Sequence, residues 1–243
     1  MKKYYWEFDG IFEYLNMDGK QQAATAAAEW VQPHTRVGLG AGTTMAYLAK
    51  ALHPKIQNGL QVTVFSSSAE TRLLLQQLQV PVADVATTDY LDWYFDGCDQ
   101  FDRSLNALKS GGGIHTTEKL LAAMAREFVL VGDESKYAEQ LTSRYPVVAE
   151  VLPGALAFVE TKLRQAYPQI NKLERRYTAP GRLTQTVYGN YLLDIWFSEL
   201  PGIAGINPLL KSIPGIVETS LFYGMASRAI VAGEAGIRVI EKQ

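Results

Sequence analysis

The sequence holds one cysteine, Cys98, in 243 residues, so it can close no disulfide on itself. That fits a reducing compartment, where thiols stay reduced. Three histidines, His34, His53 and His115, lie far apart and lack the spacing of a metal site. No stretch approaches the roughly 18 consecutive apolar residues that a membrane helix needs. The opening segment MKKYYWEFDG has two lysines but no apolar run of signal-peptide length behind them. Net charge is only −2, with no run of like charge, so no field draws the chain toward nucleic acid. Repeats and low-complexity tracts are absent as well. These absences predict a soluble, cytoplasmic protein with neither a nucleic acid nor a membrane as partner.

What remains is ordinary globular material, 47% hydrophobic and 20% charged. The length suffices for one large domain or two modest ones with a well-buried core. Residues 20–30 are rich in helix formers and stop before Pro33. Then strands and helices alternate. Strands are expected at 36–39, 62–65, 93–95 and 128–131, and helices at 43–52, 69–79 and 116–125. Such alternation predicts an α/β fold, a Rossmann-like and mostly parallel sheet with helices on both faces. Ligands of such sheets sit at the carboxyl ends of the strands. Gly40 to Thr44, Ser66 to Ser68 and Asp96 to Asp99 all fall there.

After about Tyr145 the rhythm changes. A strand at 147–151 meets Pro153, and an apolar helix runs to about Ala166. Strand-like runs follow at 186–188, 191–196 and 216–222. This segment predicts a smaller α+β domain over residues 145–218. Residues 1–144 and 219–243 would form the Rossmann-like catalytic domain, the runs at 229–231 and 237–240 returning to the first sheet.

Three segments carry chemistry-bearing residues. In Gly38-Leu39-Gly40-Ala41-Gly42-Thr43-Thr44, glycines permit a sharp turn after a strand. The following helix aims free N–H groups and its positive dipole end at that turn, which suits phosphate. A dinucleotide site would need a third glycine, but the two possible positions hold Thr43 and Met45. A P-loop would need Gly-Lys-Ser/Thr, also absent. A tight turn with nothing bound explains the residues equally well. In Asp96-Gly97-Cys98-Asp99, two carboxylates flank a glycine. They can hold hydroxyls or move protons, or simply form a turn.

The third segment is Lys109-Ser110-Gly111-Gly112-Gly113-Ile114-His115-Thr116-Thr117-Glu118-Lys119. Its three glycines carry a large entropy cost unless the backbone must approach something closely. Lys109 could stabilise an oxyanion and Glu118 could serve as a base. On the residues alone, however, Glu118 is a first-turn acid behind a Thr116 or Thr117 cap. His115 is expected as a solvated loop histidine, Cys98 as a small buried side chain, and Trp93, Tyr94 and Phe95 as strand core.

Taken in order, these segments resemble the ribose-5-phosphate isomerase A family. The family's Gly-Thr-Gly-Ser-Thr corresponds to Gly40-Ala41-Gly42-Thr43-Thr44, and its Asp-Gly-Ala-Asp-Glu to Asp96-Gly97-Cys98-Asp99-Gln100. Its Lys-Gly-Gly-Gly and Thr-x-Glu-Lys correspond to Lys109-Ser110-Gly111-Gly112 and Thr116-Thr117-Glu118-Lys119. Asp133-Glu134-Ser135-Lys136, Val148-Ala149-Glu150-Val151-Leu152-Pro153 and Ile213-Pro214-Gly215-Ile216-Val217 continue the match. It spans about residues 20–243.

The resemblance implies a cofactor-free and metal-free isomerisation of ribose 5-phosphate to ribulose 5-phosphate through an enediolate. Glu118 would be the base, Lys109 the oxyanion partner, and Asp96 and Asp99 the ligands of sugar hydroxyls. Ala41, Gly42, Thr43, Thr44, Gly97, Cys98, Ser110, Gly111 and Gly112 would line the substrate, with Lys136 and Lys20 near its phosphate. A homodimer or homotetramer is also implied.

There are departures. Ala41 stands for a threonine, Gln100 for a glutamate and Ser110 for a glycine. Thr186-Val187-Tyr188-Gly189-Asn190 stands for Thr-Asp-Asn-Gly-Asn. They leave two other readings open: an isomerase for another phosphorylated sugar, or a non-catalytic sugar-phosphate sensor. No basic helix-turn-helix accompanies the latter. The aromatic residues 1–19 are expected to form a subunit contact or a lid.

Overall fold

The computed structural model describes residues 18–242, so the expected role of residues 1–17 lies outside the described residues. The Asp18 carboxylate accepts the Gln21 N–H and opens α1 (Gly19–Ala28). β1 (Thr35–Leu39), α2 (Thr43–Gln57), β2 (Val62–Ser66), α3 (Ala69–Gln77) and β3 (Leu91–Asp96) then alternate as expected. Two short strands, β4 (Gln100–Phe101) and β5 (Ala107–Leu108), precede α4 (His115–Met124) and the long β6 (Ala125–Asp133). The next stretch holds β7 (Val147–Val151), α5 (Leu156–Ala166), β8 (Ile170–Arg175), β9 (Tyr177–Ala179), β10 (Arg182–Leu183), β11 (Tyr191–Phe197), α6 (Ile203–Lys211) and β12 (Ile216–Thr219). β13 (Leu221–Phe222), β14 (Arg228–Gly233) and β15 (Gly236–Glu241) follow.

The main sheet has the order β15-β14-β6-β3-β1-β2. All its pairings are parallel except the hairpin of β14 with β15. β1 leads outward to β2, and the chain then crosses back to place β3 on the other side of β1. The strand order therefore reverses between β1 and β3, which opens a crevice at their carboxyl ends.

Side chains alternate across each strand, so the two faces of the sheet build separate cores. On one face Trp93 and Phe95 join Val37, Leu39 and the apolar faces of α1, α2 and α3. The buried face of α1 is all alanine (Ala23, Ala24, Ala27, Ala28), which lets the helix lie close to α2, β6 and β14. On the other face Leu91, Tyr94 and Phe128 pack with Leu121 of α4 and with Phe101, Ala107 and Phe222 of the small sheet β13-β5-β4. A third core lies between the four-stranded antiparallel sheet β12-β7-β11-β8 and helices α5 and α6.

Three sequence expectations need correction. Residues 186–188 form a turn: Gly189 N–H donates to the Thr186 carbonyl at 2.9 Å with Gly189 at φ +78°. The run 216–222 is two strands in different sheets, because the Ser220 hydroxyl and N–H are both taken by Val148 of β7. α2 continues past Leu52 through Pro54, whose carbonyl still accepts the Asn58 N–H at 3.0 Å. Helix α6 was missed, since Gly205 and Pro208 interrupt its pattern. Among the described residues no helix is long and apolar enough to cross a membrane.

One buried carboxylate ties these layers together. Glu150 of β7 is fully buried and accepts hydrogen bonds from Thr186 Oγ1 and Asn190 Nδ2, each at 2.8 Å. It also accepts one from Thr116 in the first turn of α4. Glu150→Ala leaves three donors without an acceptor and is expected to lower the unfolding free energy by about 3 kcal/mol in urea titrations. Glu150→Gln should cost less, and a loss below about 1 kcal/mol for the alanine variant would refute this tie.

Candidate active site

Asp96 ends β3 at the crevice and is fully buried. Its Oδ1 accepts backbone N–H groups of Gly97 at 2.8 Å and Ala41 at 3.2 Å. Its Oδ2 accepts the Tyr94 hydroxyl at 2.6 Å and the Lys109 ammonium at 2.9 Å. The β1 loop comes this close only because position 40 is glycine. A Cβ there would lie 1.9 Å from the Asp96 carboxyl carbon.

Lys109 follows β5 and is 7% exposed. Besides Asp96 it reaches Glu118 Oε1 at 3.3 Å and the Gly97 carbonyl. Glu118 stands in the first turn of α4, 4% exposed, facing the same cation. One buried cation thus serves two buried carboxylates. Burial alone would lower the Lys109 pKa, but Asp96 and then Glu118 reverse this and raise it. Burial pushes the Glu118 carboxyl up, well above the ordinary range. Lys109 pulls it back only in part, because Asp96 and Asp99 oppose.

The other expected residues surround this group. Asp99 Oδ2 accepts the N–H groups of Ser110 at 2.6 Å and Gly111 at 3.0 Å. Gly42 opens α2 with φ +86°, open space around it and no side-chain cap. Thr43 is exposed and Thr44 buried beside it. Gly111 and Gly112 have room for a Cβ within the chain. Gly113 does not, with φ +68° and Leu192 only 2.5 Å from a built Cβ. The expectation of close approach therefore holds for Gly113, against Leu192. Lys20 and Lys136 converge on Asp133: burial works to raise that carboxyl, but Ser135 and then both lysines hold it low. Lys136 also lines a small crevice with Cys98 and Gly132. Burial pushes the Cys98 thiol up to about 12, so it carries no thiolate at neutral pH.

Some local expectations fail. His115 is fully buried, not solvated, and burial lowers its pKa to about 4. Neither threonine caps α4. The cap position is Ile114, while Thr116 turns to Glu150 and Thr117 meets the Tyr188 hydroxyl at 3.1 Å. Gln100 does not face the aspartates. Its amide oxygen accepts the Thr142 N–H at 2.8 Å and its amide nitrogen donates to Thr142 Oγ1 at 3.1 Å.

Two partners were missed. Tyr94 reads as strand core in the sequence, although its spacing of two from Asp96 puts both on one strand face. Arg176 left no local signal. It lies between β8 and β9, donates to the carbonyls of Ser110 at 2.9 Å and Gly111 at 3.0 Å and pairs with Asp194 of β11 at 2.6 Å, tying the glycine loop to the four-stranded sheet.

Comparison with known proteins bears on this geometry. The family described as ribose 5-phosphate isomerase A (phosphoriboisomerase A) matches residues 63–236. A ribose-5-phosphate isomerase A from Nitrobacter hamburgensis is 33% identical over 227 residues, covering 92% of this chain and 97% of the relative. Among solved structures, ribose 5-phosphate isomerase A from Methanocaldococcus jannaschii superposes with a TM-score of 0.84 at 29% identity, covering 92% of this chain and 98% of that one. A D-ribose-5-phosphate isomerase in complex with phospho-erythronic acid gives 0.83 at 28% identity, covering 93% and 100%.

The contact between Gly40 and Asp96 can be tested directly. Gly40→Ala must push the Asp96 carboxylate off its donors. It is expected to lower the unfolding free energy by about 2–4 kcal/mol. Gly42→Ala has open space and only an unfavourable φ to meet, so it should cost about 1 kcal/mol. Equal losses in paired urea titrations would contradict the assigned contact.

Proposed function

The chain belongs to the ribose-5-phosphate isomerase A family and interconverts ribose 5-phosphate and ribulose 5-phosphate in the pentose phosphate pathway; we propose that Glu118 moves the proton while Lys109, Asp96 and Asp99 control the charges around it. In the open-chain aldose the Glu118 carboxylate takes the proton from C2. The C–H electron pair forms the C1–C2 double bond and the carbonyl pair moves onto O1. The resulting enediolate carries its charge on oxygen, where the Lys109 ammonium stabilises it. The O2 hydroxyl proton passes to O1, and Glu118 then returns its proton to C1 as the C2 carbonyl forms. Asp96 and Asp99 hold sugar hydroxyls and assist ring opening.

The observation that carries this reading is Glu118, buried and 3.3 Å from the shared Lys109 cation. A base whose pKa is raised toward the working pH both accepts and returns a proton readily. Gly42, Thr43 and Thr44 stand at the N-terminus of α2, which suits an anionic substrate, with Ala41 beside them. Gly97, Cys98, Ser110, Gly111 and Gly112 line the sugar in this reading, and Lys136 and Lys20 meet the phosphate. For the expected division into a catalytic unit (1–144 and 219–243) and a smaller one (145–218), the support is a core under β12-β7-β11-β8 built mostly from residues of the smaller unit, which Leu108, Leu141 and Leu221 of the larger one join. The reading also makes the protein a cytoplasmic homodimer or homotetramer. Light scattering that returns the mass of a single chain would refute the assembly.

Glu118→Gln is expected to reduce kcat by about 10²–10⁴-fold while phospho-erythronic acid or substrate still binds. A variant with undiminished turnover would remove Glu118 from the role. Because the carboxylate form is the base, the rate should rise with pH toward a limb at about 8. The same shift sets a stability trend. Below its raised pKa the folded Glu118 keeps a proton that the unfolded residue has already lost. Stability therefore falls as pH rises across that window. Glu118→Gln should flatten this trend and be at least as stable as the parent at pH about 8.

A further inference from the structure

Behind Asp96 lies a chain of hydroxyls that the mechanism has not used. Tyr94 and Asp96 leave the same face of β3, and both are fully buried. The Tyr94 ring sits in the core with its centroid 5.2 Å from that of Phe128. Its hydroxyl lies 2.6 Å from Asp96 Oδ2 and 3.2 Å from Ser67 Oγ in the β2–α3 loop. Burial, reinforced by the charges of Asp96 and Glu118, holds the phenol well above its ordinary pKa, so it keeps its proton. With Asp96 as carboxylate, the proton between them points to Asp96 and the Ser67 hydroxyl donates to Tyr94.

Resting on the roles given above to Asp96, Lys109 and Glu118, we propose that Tyr94 is a positioning residue that holds Asp96 Oδ2 so that Lys109 stays shared between Asp96 and Glu118. Oδ2 has two donors, Tyr94 and Lys109. Asp96 is fully buried, so no bulk water replaces a lost donor. Without the phenol, Oδ2 is left to Lys109 alone. The ammonium moves toward Asp96 and away from Glu118, now at 3.3 Å. Glu118 then loses part of the Lys109 charge that favours its ionised form, and the enediolate loses part of its oxyanion partner.

Among the described residues the main groups facing Glu118 are these. Lys109, Asp96 and Asp99 act on it directly, and Tyr94 senses its charge. Cys98 faces Lys109 from the same turn. Of the acids on neighbouring strands, Glu218 of β12 is paired with Lys119 and Lys211, Glu127 of β6 with Ser227 and Arg228, and Glu150 of β7 with Thr116, Thr186 and Asn190.

The test is steady-state turnover of ribose 5-phosphate by the full chain across pH, for Tyr94→Phe and Ser67→Ala. Tyr94→Phe keeps the ring in the core and removes only the donor. It is expected to lower kcat about tenfold, leave KM within about threefold and move the acidic limb about half a unit or more to higher pH. Ser67→Ala, which releases the phenol without touching its ring, should shift both quantities in the same direction by less. An unchanged acidic limb in Tyr94→Phe overturns the proposal, whether kcat holds or falls, because a merely structural loss would not move the limb. If Tyr94→Phe fails to fold, a Ser67→Ala enzyme with parental kcat and limb overturns it equally. Glu118→Gln separates this from the reading beneath it. If that variant stays active, the base assignment fails. If it is inactive while Tyr94→Phe keeps the parental limb, only the role of Tyr94 fails.

Discussion

The active end of this molecule depends on one buried cation shared by two buried carboxylates. Lys109 stands between Asp96 and Glu118, within salt-bridge distance of both. Taking three charges out of water is costly, and the attraction among them offsets that cost only with good geometry and satisfied lone pairs. Asp96 meets the requirement with four donors. Glu118 is less well supplied, and that shortage is useful. Its carboxyl is held above the ordinary range, where it can both take and return a proton. The Lys109 charge shared with Asp96 therefore offsets only part of the burial that raises Glu118, as its proposed role of base requires.

Much of the surrounding structure serves that triad. Parallel pairing of β1 with β3 sets Leu39 opposite Phe95, so Gly40 arrives beside Asp96. The reversal of strand order at this point opens the crevice in which both loops stand. The α4 helix brings Glu118 from the opposite layer, and Glu150 fixes that helix's first turn to β7. Arg176 holds the glycine loop from the four-stranded sheet. A site at the meeting of three cores is positioned by all of them, which makes it precise but sensitive to distant changes.

Several positions at which the family resemblance marks a departure make defined contacts in this chain. Gln100 is turned to Thr142 and anchors the segment before β7. Ser110 donates its hydroxyl to the Pro146 carbonyl at 2.6 Å. In the 186–190 turn, Thr186 and Asn190 bind Glu150, while Val187 is exposed and Tyr188 reaches Thr117 beside Glu118. Asp96, Asp99, Lys109 and Glu118 themselves are untouched by these changes.

By itself the sequence determined the alternation of main-sheet strands and helices up to residue 131, though not β4 or β5, because burial on one stripe or two faces writes a period into the chain. It also marked the glycine and aspartate turns, since few residue types tolerate those backbones. It did not determine where side chains turn once the elements pack. His115 had the neighbourhood of a loop residue and became core. Thr116 had the place of a cap and became a tie to Glu150. Tyr94 read as an apolar ring, and only packing beside Asp96 gave its hydroxyl a partner. Residues 216–222 read as one strand, and only two competing sheets divided it. Local pattern records what each segment can bury. Which donor meets which acceptor, and so which carboxyl is held above its ordinary range, is decided by contacts between residues far apart in the chain, such as Arg176 with Ser110 and Lys109 with Asp96.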